Sequence, residues 1–303
     1  MIGSWLLGTG AAAAMLGAYA LYEPYRFRLG SHELPVSPGA PALTVLHISD
    51  FHLKATDRRK LAWLRGLADR LGETPDLVLA TGDMIQDDSG IEPLVEVMAS
   101  LEARLGRFYV LGSHDYYQSR FQLYTKYWTG RREEVKAPRA ATLRMEELLA
   151  DKGWIALSNR SEIIASPHGP IRVAGVDDPY LRRQRTGQIA RAGDEVLAIG
   201  LMHAPDVVSE WVLNGYDLAL GGHTHAGQVR LPGIGALVTN CSLPLGLAGG
   251  PNRVGSTWLH MSPGLGTGVF SPVRFNARPE VTLLRLMPAT GPREKPVRGA
   301  TRR

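Results

Sequence analysis

The feature that most constrains this chain is the placement of its acidic and imidazole side chains at the ends of short apolar runs. Leu43–Ile48 is followed by Ser49-Asp50-Phe51-His52, and Leu77–Ala80 by Thr81-Gly82-Asp83. Phe108–Leu111 is followed by Gly112-Ser113-His114-Asp115, Leu197–Met202 by His203, and Leu218–Leu220 by Gly221-Gly222-His223-Thr224-His225. Short runs rich in branched apolar residues are the pattern of buried strands. Between them, Arg58–Leu71, with Leu61, Leu64, Leu67 and Leu71, repeats at helical spacing with Asp57 as a candidate N-cap. Ile91–Leu105 and Val207–Leu213 also read as helical. Strands alternating with helices predict a layered α/β architecture, and in open α/β sheets ligands bind beyond the carboxyl ends of the strands. Five strand ends are therefore expected to deliver Asp and His to one rim. The later run Val281–Leu286 reads as β.

Five of the nine histidines fall in these clusters. Imidazole with carboxylate suits zinc, iron or manganese. The one cysteine, Cys241, forms no internal disulfide, and no cysteine pair is available for a zinc ribbon. In an extended backbone, Asp50-x-His52 and His223-x-His225 would each point both side chains the same way. Taken singly, Asp50 or Asp83 is more often a helix cap and His203 a core histidine; their co-occurrence favours a metal site. His47 reads as a core residue, and His32, His168 and His260 match no ligand motif.

The ordered set resembles the signature of the calcineurin-like metallophosphoesterases. The stretch Gly222–Pro232, the late Gly264-Leu265-Gly266-Thr267 and Arg278-Pro279-Glu280 resemble its bacterial membrane-anchored branch, relatives of UDP-2,3-diacylglucosamine hydrolase. The likeness runs from about Leu43 to Leu286. It implies a layered β-sandwich flanked by helices and two divalent metal ions, Mn, Fe or Zn. Asp50, His52 and His225 would hold the first ion, Asp83 would bridge, and His203 and His223 would hold the second. His114 would stabilise the oxyanion or protonate the leaving oxygen, with Asp115 orienting its ring. A hydroxide bridging the ions would attack phosphorus in line. One position departs: Ser113 stands where the family has an asparagine whose carbonyl ligates the second metal. A serine hydroxyl is a shorter and poorer neutral ligand, which permits a weaker second position. The expected activity is hydrolysis of phosphodiester or pyrophosphate bonds in a lipid-linked or nucleotide substrate. The alternative is a non-catalytic or one-metal membrane-bound scaffold or sensor.

Residues 1–24 are expected to be a transmembrane anchor, because Ile2–Tyr22 carries no charged side chain. A cleaved signal peptide and a buried core helix are the competing readings. Arg26 and Arg28 lie after the span, so the positive-inside rule would leave a single-pass protein's catalytic domain in the cytoplasm. Residues 25–41, with Pro35, Pro38, Gly39 and Pro41, read as a linker, 42–286 as the catalytic domain, and 287–303 as a disordered basic tail. That tail holds a net +4 of the chain's +5, so nucleic acid is not expected as a partner. Tyr116–Trp128 holds six aromatic residues and reads either as a lid or as an insertion packing on itself. Asp177-Asp178-Pro179-Tyr180 with Arg182, Arg183 and Arg185 reads as a solvated charged loop or as a border of the site that binds a phosphate.

Overall fold

The computed structural model describes residues 14–118, 141–268 and 270–290. In chain order its strands begin with β1 (Arg28–Val36), β2 (Leu43–Ile48), β3 (Leu77–Thr81), β4 (Gly106–Val110), β5 (Ile155–Ala156), β6 (Arg160–Ile164) and β7 (Ile171–Gly175). They continue with β8 (Leu197–Leu201), β9 (Leu218–Gly221), β10 (Arg230–Leu231), β11 (Gly235–Ala236), β12 (Gly250–Val254), β13 (Thr257–Met261) and β14 (Glu280–Pro288). Two six-stranded sheets result, ordered β1-β14-β2-β3-β4-β5 and β12-β13-β9-β8-β7-β6. Within them β2, β3, β4 and β5 run parallel, as do β7, β8, β9 and β13.

Side-chain parity explains the layering, because successive residues of a strand face opposite sides of its sheet. Val45, Leu77, Leu79, Phe108 and Val110 of the first sheet meet Ile171, Val173, Leu197, Ile199, Leu218 and Leu220 of the second in one apolar layer. The alternate residues Leu46, Ile48, Val78, Ala80 and Tyr109 face outward under the helices Arg58–Arg65, Ile91–Ser100 and Thr142–Asp151. On the other side Ala174, Ala198, Ala219 and Leu259 pack beneath the helix Val208–Leu213, whose Trp211 is fully buried. Strands buried on both faces read as continuous apolar runs, which is why they are visible in the sequence. The expected helix 58–71 is interrupted at Gly66 and forms two pieces, Arg58–Arg65 and Leu67–Leu71. Asp57 does not cap it; its carboxylate accepts from Lys54 N and Lys60 Nζ instead.

The N-terminal region departs from expectation. Among the described residues no helix is long and apolar enough to cross a membrane. This overturns the single-pass localisation and the transmembrane helix placed at 1–24, of which residues 1–13 lie outside the described residues. Residues 14–22 are helical, with Met15, Leu16 and Leu21 exposed and the following segment docked on the domain. Arg274 N donates to Ala20 O at 2.9 Å, and Tyr19 meets Phe275 edge-on at 5.7 Å. Glu23, fully buried, accepts from the backbone N–H groups of Asn276 and Ala277 at 2.7 and 2.9 Å. Removing it leaves two donors unsatisfied. Glu23→Ala is expected to cost about 1–3 kcal/mol of stability, read by urea unfolding; a loss within error would show that this docking contributes nothing.

The stretch 25–41 is also not a linker throughout. Residues Arg28–Val36 form β1, paired in parallel along β14 with Pro35 opposite Met287. Pro35 is tolerated because β1 is an edge strand of its sheet. Of the expected tail, residues 291–303 lie outside the described residues, and β14 reaches Pro288.

Candidate metal centre

All of the predicted site residues follow strands at one end of the two sheets. Asp50 and His52 follow β2, Asp83 follows β3, His114 follows β4, His203 follows β8, and His223 and His225 follow β9. The loops are tied to each other. Asp50 N donates to Gly82 O and His52 N to Asp83 O, while Gly222 N donates to His203 O. Lys60 Nζ holds the first loop by donating to Phe51 O at 2.7 Å and His52 O at 3.3 Å.

The paired motifs do not work by strand alternation, as the spacing suggested. Asp50, His52, Asp83, His223 and His225 all adopt left-handed backbone, with φ of 49°, 45°, 50°, 68° and 48°. Such a conformation costs a non-glycine residue on the order of 1–3 kcal/mol, and it persists where the surroundings over-determine it, typically at functional sites. Here it turns successive side chains into one cavity. The approach is close enough that a Cβ on Gly222 would run into Ser49 and Asp50, and one on Gly112 into Asp83 and His203.

Asp83 is the hub. Its Oδ2 lies 3.2 Å from His203 Nε2, 3.7 Å from His52 Nε2 and 3.9 Å from His114 Nε2, while Oδ1 accepts from His114 N at 2.8 Å. Asp50 Oδ1 lies 3.7 Å from His225 Nε2. Three sets bring their donor atoms within 4.8 Å of one another: Asp50, His52 and His225; His52, Asp83 and His114; and Asp50, Asp83 and His203. His223 joins none of them. Its backbone N–H donates to Asp50, its ring packs edge-on to His203 at 5.2 Å, and its Nε2 lies 3.4 Å from Asn240 O. Ser113 begins the short helix Ser113–Tyr116.

The donor set fits a metal. His203 Nδ1 contacts Thr81 O at 2.7 Å; a carbonyl only accepts, so Nδ1 carries hydrogen and Nε2 of the neutral ring carries a lone pair. That lone pair faces the Asp83 carboxylate without a hydrogen bond. Facing lone pairs need a cation between them, either a proton or a metal ion. Burial opposes charge on both groups. Even so, His203 draws Asp83 well below the usual carboxylate range, and Asp83 draws His203 well above the usual imidazole range. Burial pushes Asp50 up to about 6, against the pull of His203 and with the push of Asp83. Burial, then the charge of Arg274, holds His225 well below its ordinary value; burial, then His114, does the same for His52. Both nitrogens of His52 are buried without a hydrogen-bond partner. Metal ligation requires this neutral imidazole.

Asp115 does not orient the His114 ring. Its Oδ1 accepts from Met84 N and Ile85 N and its Oδ2 from Gly112 N, so it fastens the loop after β3. Gln86 Nε2 contacts His114 Nδ1 at 3.4 Å. Arg183 is committed elsewhere: it pairs with Asp177 at 2.9 Å and lies over the Tyr116 ring at 4.1 Å, and Tyr116 OH donates to Asp177. Asp178 is buried with Oδ2 unpartnered, and burial pushes it up to about 7. Most of the expected aromatic segment Tyr116–Trp128 falls within residues 119–140, which lie outside the described residues.

Several residues that shape the centre were not singled out from sequence. Arg274 is fully buried, and its Nη2 donates to Pro263 O and Gly266 O at 2.7 and 2.6 Å, 3.2 Å from His225 Nδ1. Single arginine, lysine and glutamine residues carry no motif; Arg274, Lys60 and Gln86 are found only through their contacts. Beside His52 and Gln86 opens a cavity of about 630 Å³, lined also by Lys54, Arg58, Arg59, Lys60 and Thr267.

Two sandwiched sheets with Asp and His gathered at their strand ends define a metallohydrolase-type centre. The match to known families is specific: residues 43–227 fit the family described as calcineurin-like phosphoesterase, so the chain belongs to that family. It is 28% identical over 293 residues to the metallophosphoesterase YkuE of Bacillus subtilis, covering 92% of this chain and 93% of that protein. It is 26% identical to the phosphodiesterase YaeI of Escherichia coli, covering 91% and 94%. It is 25% identical to the UDP-2,3-diacylglucosamine pyrophosphatase LpxG of Chlamydia trachomatis, covering 81% and 84%.

Proposed function

We propose that this chain is a metal-dependent hydrolase of phosphodiester or pyrophosphate bonds, acting on an anionic substrate of nucleotide or lipid-linked type. The observation that carries the reading is the convergence of the His52, His203 and His225 imidazoles on the buried carboxylates of Asp50 and Asp83, with both His52 nitrogens and His203 Nε2 left without a hydrogen-bond partner. Two divalent ions held there would supply Lewis acidity and an activated water. Asp50, His52 and His225 would hold one ion and His203 the other, with His223 and Ser113 as further candidates and Asp83 shared. The relatives named phosphodiesterase and pyrophosphatase support the bond class.

Purified protein supplied with Mn²⁺ is expected to hydrolyse bis(p-nitrophenyl) phosphate and to lose that activity on chelation. Tight metal binding without turnover on any phosphoester would overturn the reading.

The cavity beside His52 carries the basic side chains Lys54, Arg58 and Arg59 on its rim. They would attract the remaining anionic portion of the substrate. Because these charges are largely exposed, each is worth little. Arg58→Ala or Arg59→Ala is expected to raise KM about two- to fivefold at low salt, with kcat kept. The effect should vanish as ionic strength rises. An unchanged KM at low salt would move the substrate path away from this cavity.

A further inference from the structure

Near the candidate centre the layer between the sheets changes character. Val45, Leu77, Leu79, Leu284 and Leu286 make it apolar over most of its extent. By the same parity β2 brings His47, β3 Thr81, β14 Glu280 and Thr282, β13 His260 and β1 His32 to this layer. All of these except His32 are buried.

A hydrogen-bond chain runs through the cluster, and its direction can be fixed. Asp50 as a carboxylate only accepts, so Ser49 Oγ donates to Asp50 Oδ2 at 2.6 Å. That uses the one hydroxyl hydrogen of Ser49, which accepts in turn from Thr81 Oγ1 at 2.7 Å. The Thr81 hydrogen is then also committed, so His47 Nε2 donates to Thr81 Oγ1 at 2.9 Å. Burial holds His47 neutral, with a value lowered to about 3, so its Nδ1 carries a lone pair. It accepts from His260 Nδ1 at 2.8 Å. His260 is held neutral by burial and then by His47, which leaves its own lone pair on Nε2. That atom is buried and has no hydrogen-bond partner. His32 lies beside it, with ring centroids 6.0 Å apart, and so does Glu280.

A buried lone pair beside a carboxylate is a costly arrangement unless a positive charge joins the two. His32, His260 and Glu280 each offer a donor atom within 4.8 Å of the others. We propose that these three residues form a further divalent-cation site, of zinc type, separate from the centre around Asp83. Two imidazoles and one carboxylate are a zinc-binding set with room for a water. Glu280 accepts from Thr282 Oγ1 at 2.8 Å and pairs with Arg28, and a carboxylate has about four lone-pair positions, so donor capacity remains. Gly30 lets that carboxylate lie against β1, since a Cβ there would run into it. His32 is partly exposed on the edge strand and gives the ion a route in. An ion here would fix the His260 and His47 tautomers and, through Thr81 and Ser49, the donor presented to Asp50. The direction of the chain rests on the ionised Asp50 that the proposed function requires; the three-residue donor set does not.

The test is anomalous diffraction at the zinc edge from crystals of the full chain grown with Zn²⁺, with metal content measured in solution. A peak bounded by His32, His260 and Glu280 is expected, and His32→Ala and Glu280→Gln should each bind one equivalent fewer than the parent chain. Asp83→Asn should keep this peak while losing density at its own centre. Peaks around Asp83 with only water beside His260, or unchanged zinc content in both variants, would overturn the proposal. A peak at His260 with none around Asp83 would instead sink the proposed hydrolase centre.

Discussion

Asp83→Asn is expected to lower kcat/KM for bis(p-nitrophenyl) phosphate by about 10³-fold and to remove at least one equivalent of bound metal. The substitution keeps the shape and one carbonyl oxygen, so the 2.8 Å hydrogen bond from His114 N can survive and the chain should fold. What changes is the oxygen facing three imidazoles. Oδ2 lies 3.2 and 3.7 Å from His203 and His52, and an amide nitrogen there would direct hydrogens at groups that must donate lone pairs to a metal. Metal-supplied stabilisation of a phosphoryl transition state is worth several kcal/mol, and about 4 kcal/mol corresponds to about 10³ in rate. Thermal unfolding adds an independent reading. The apo variant should melt near the apo parent, while the rise in Tm on adding Mn²⁺ should shrink, because ligand stabilisation scales with affinity. A variant that retained full metal content and near-parent kcat/KM would show that Asp83 is not the shared ligand.

The parts legible from sequence share one property: they lie where a strong local pattern coincides with a functional one. β2 at Leu43–Ile48 is buried on both faces, so its run is continuous and its end is marked by Asp50. The same holds for β3 and Asp83 and for β8 and His203. The edge strand β1 is not legible in the sequence because Pro35 and the neighbouring prolines look like a linker, and only its pairing with β14, some 250 residues away, makes it a strand. Hydropathy alone treated the N-terminal segment as an anchor. It could not register Glu23, which becomes buried by capping Asn276 and Ala277. The spacing of Asp50 and His52 suggested an extended backbone, whereas both residues are left-handed; residue spacing does not encode the sign of φ. In the sequence His47 reads as a core residue and His260 matches no motif. Both are buried, and their significance lies in a hydrogen-bond direction that no linear motif carries.

His114→Ala should separate proton transfer from metal binding. The ring stands edge-on to His52 at 4.6 Å and is the most exposed of the imidazoles around Asp83, so it faces the place a substrate would occupy. Gln86 Nε2 lies 3.4 Å from His114 Nδ1. An amide nitrogen donates, so Nδ1 accepts and Nε2 of the neutral ring keeps its hydrogen, the tautomer suited to protonating a leaving oxygen. General acid catalysis contributes about 10²–10⁴-fold, but only where the leaving group needs a proton. p-Nitrophenolate leaves readily as an anion, so the variant's deficit with bis(p-nitrophenyl) phosphate should be small. With an alkyl or nucleoside leaving group it should approach the full 10²–10⁴. Metal content should stay at the parent level in His114→Ala, in contrast to Asp83→Asn. Gln86→Leu should give an intermediate deficit with the same dependence on leaving group, as a residue acting through His114 would. A loss of equal size across all leaving groups, or one that tracked a loss of metal, would assign His114 to the ligand set instead.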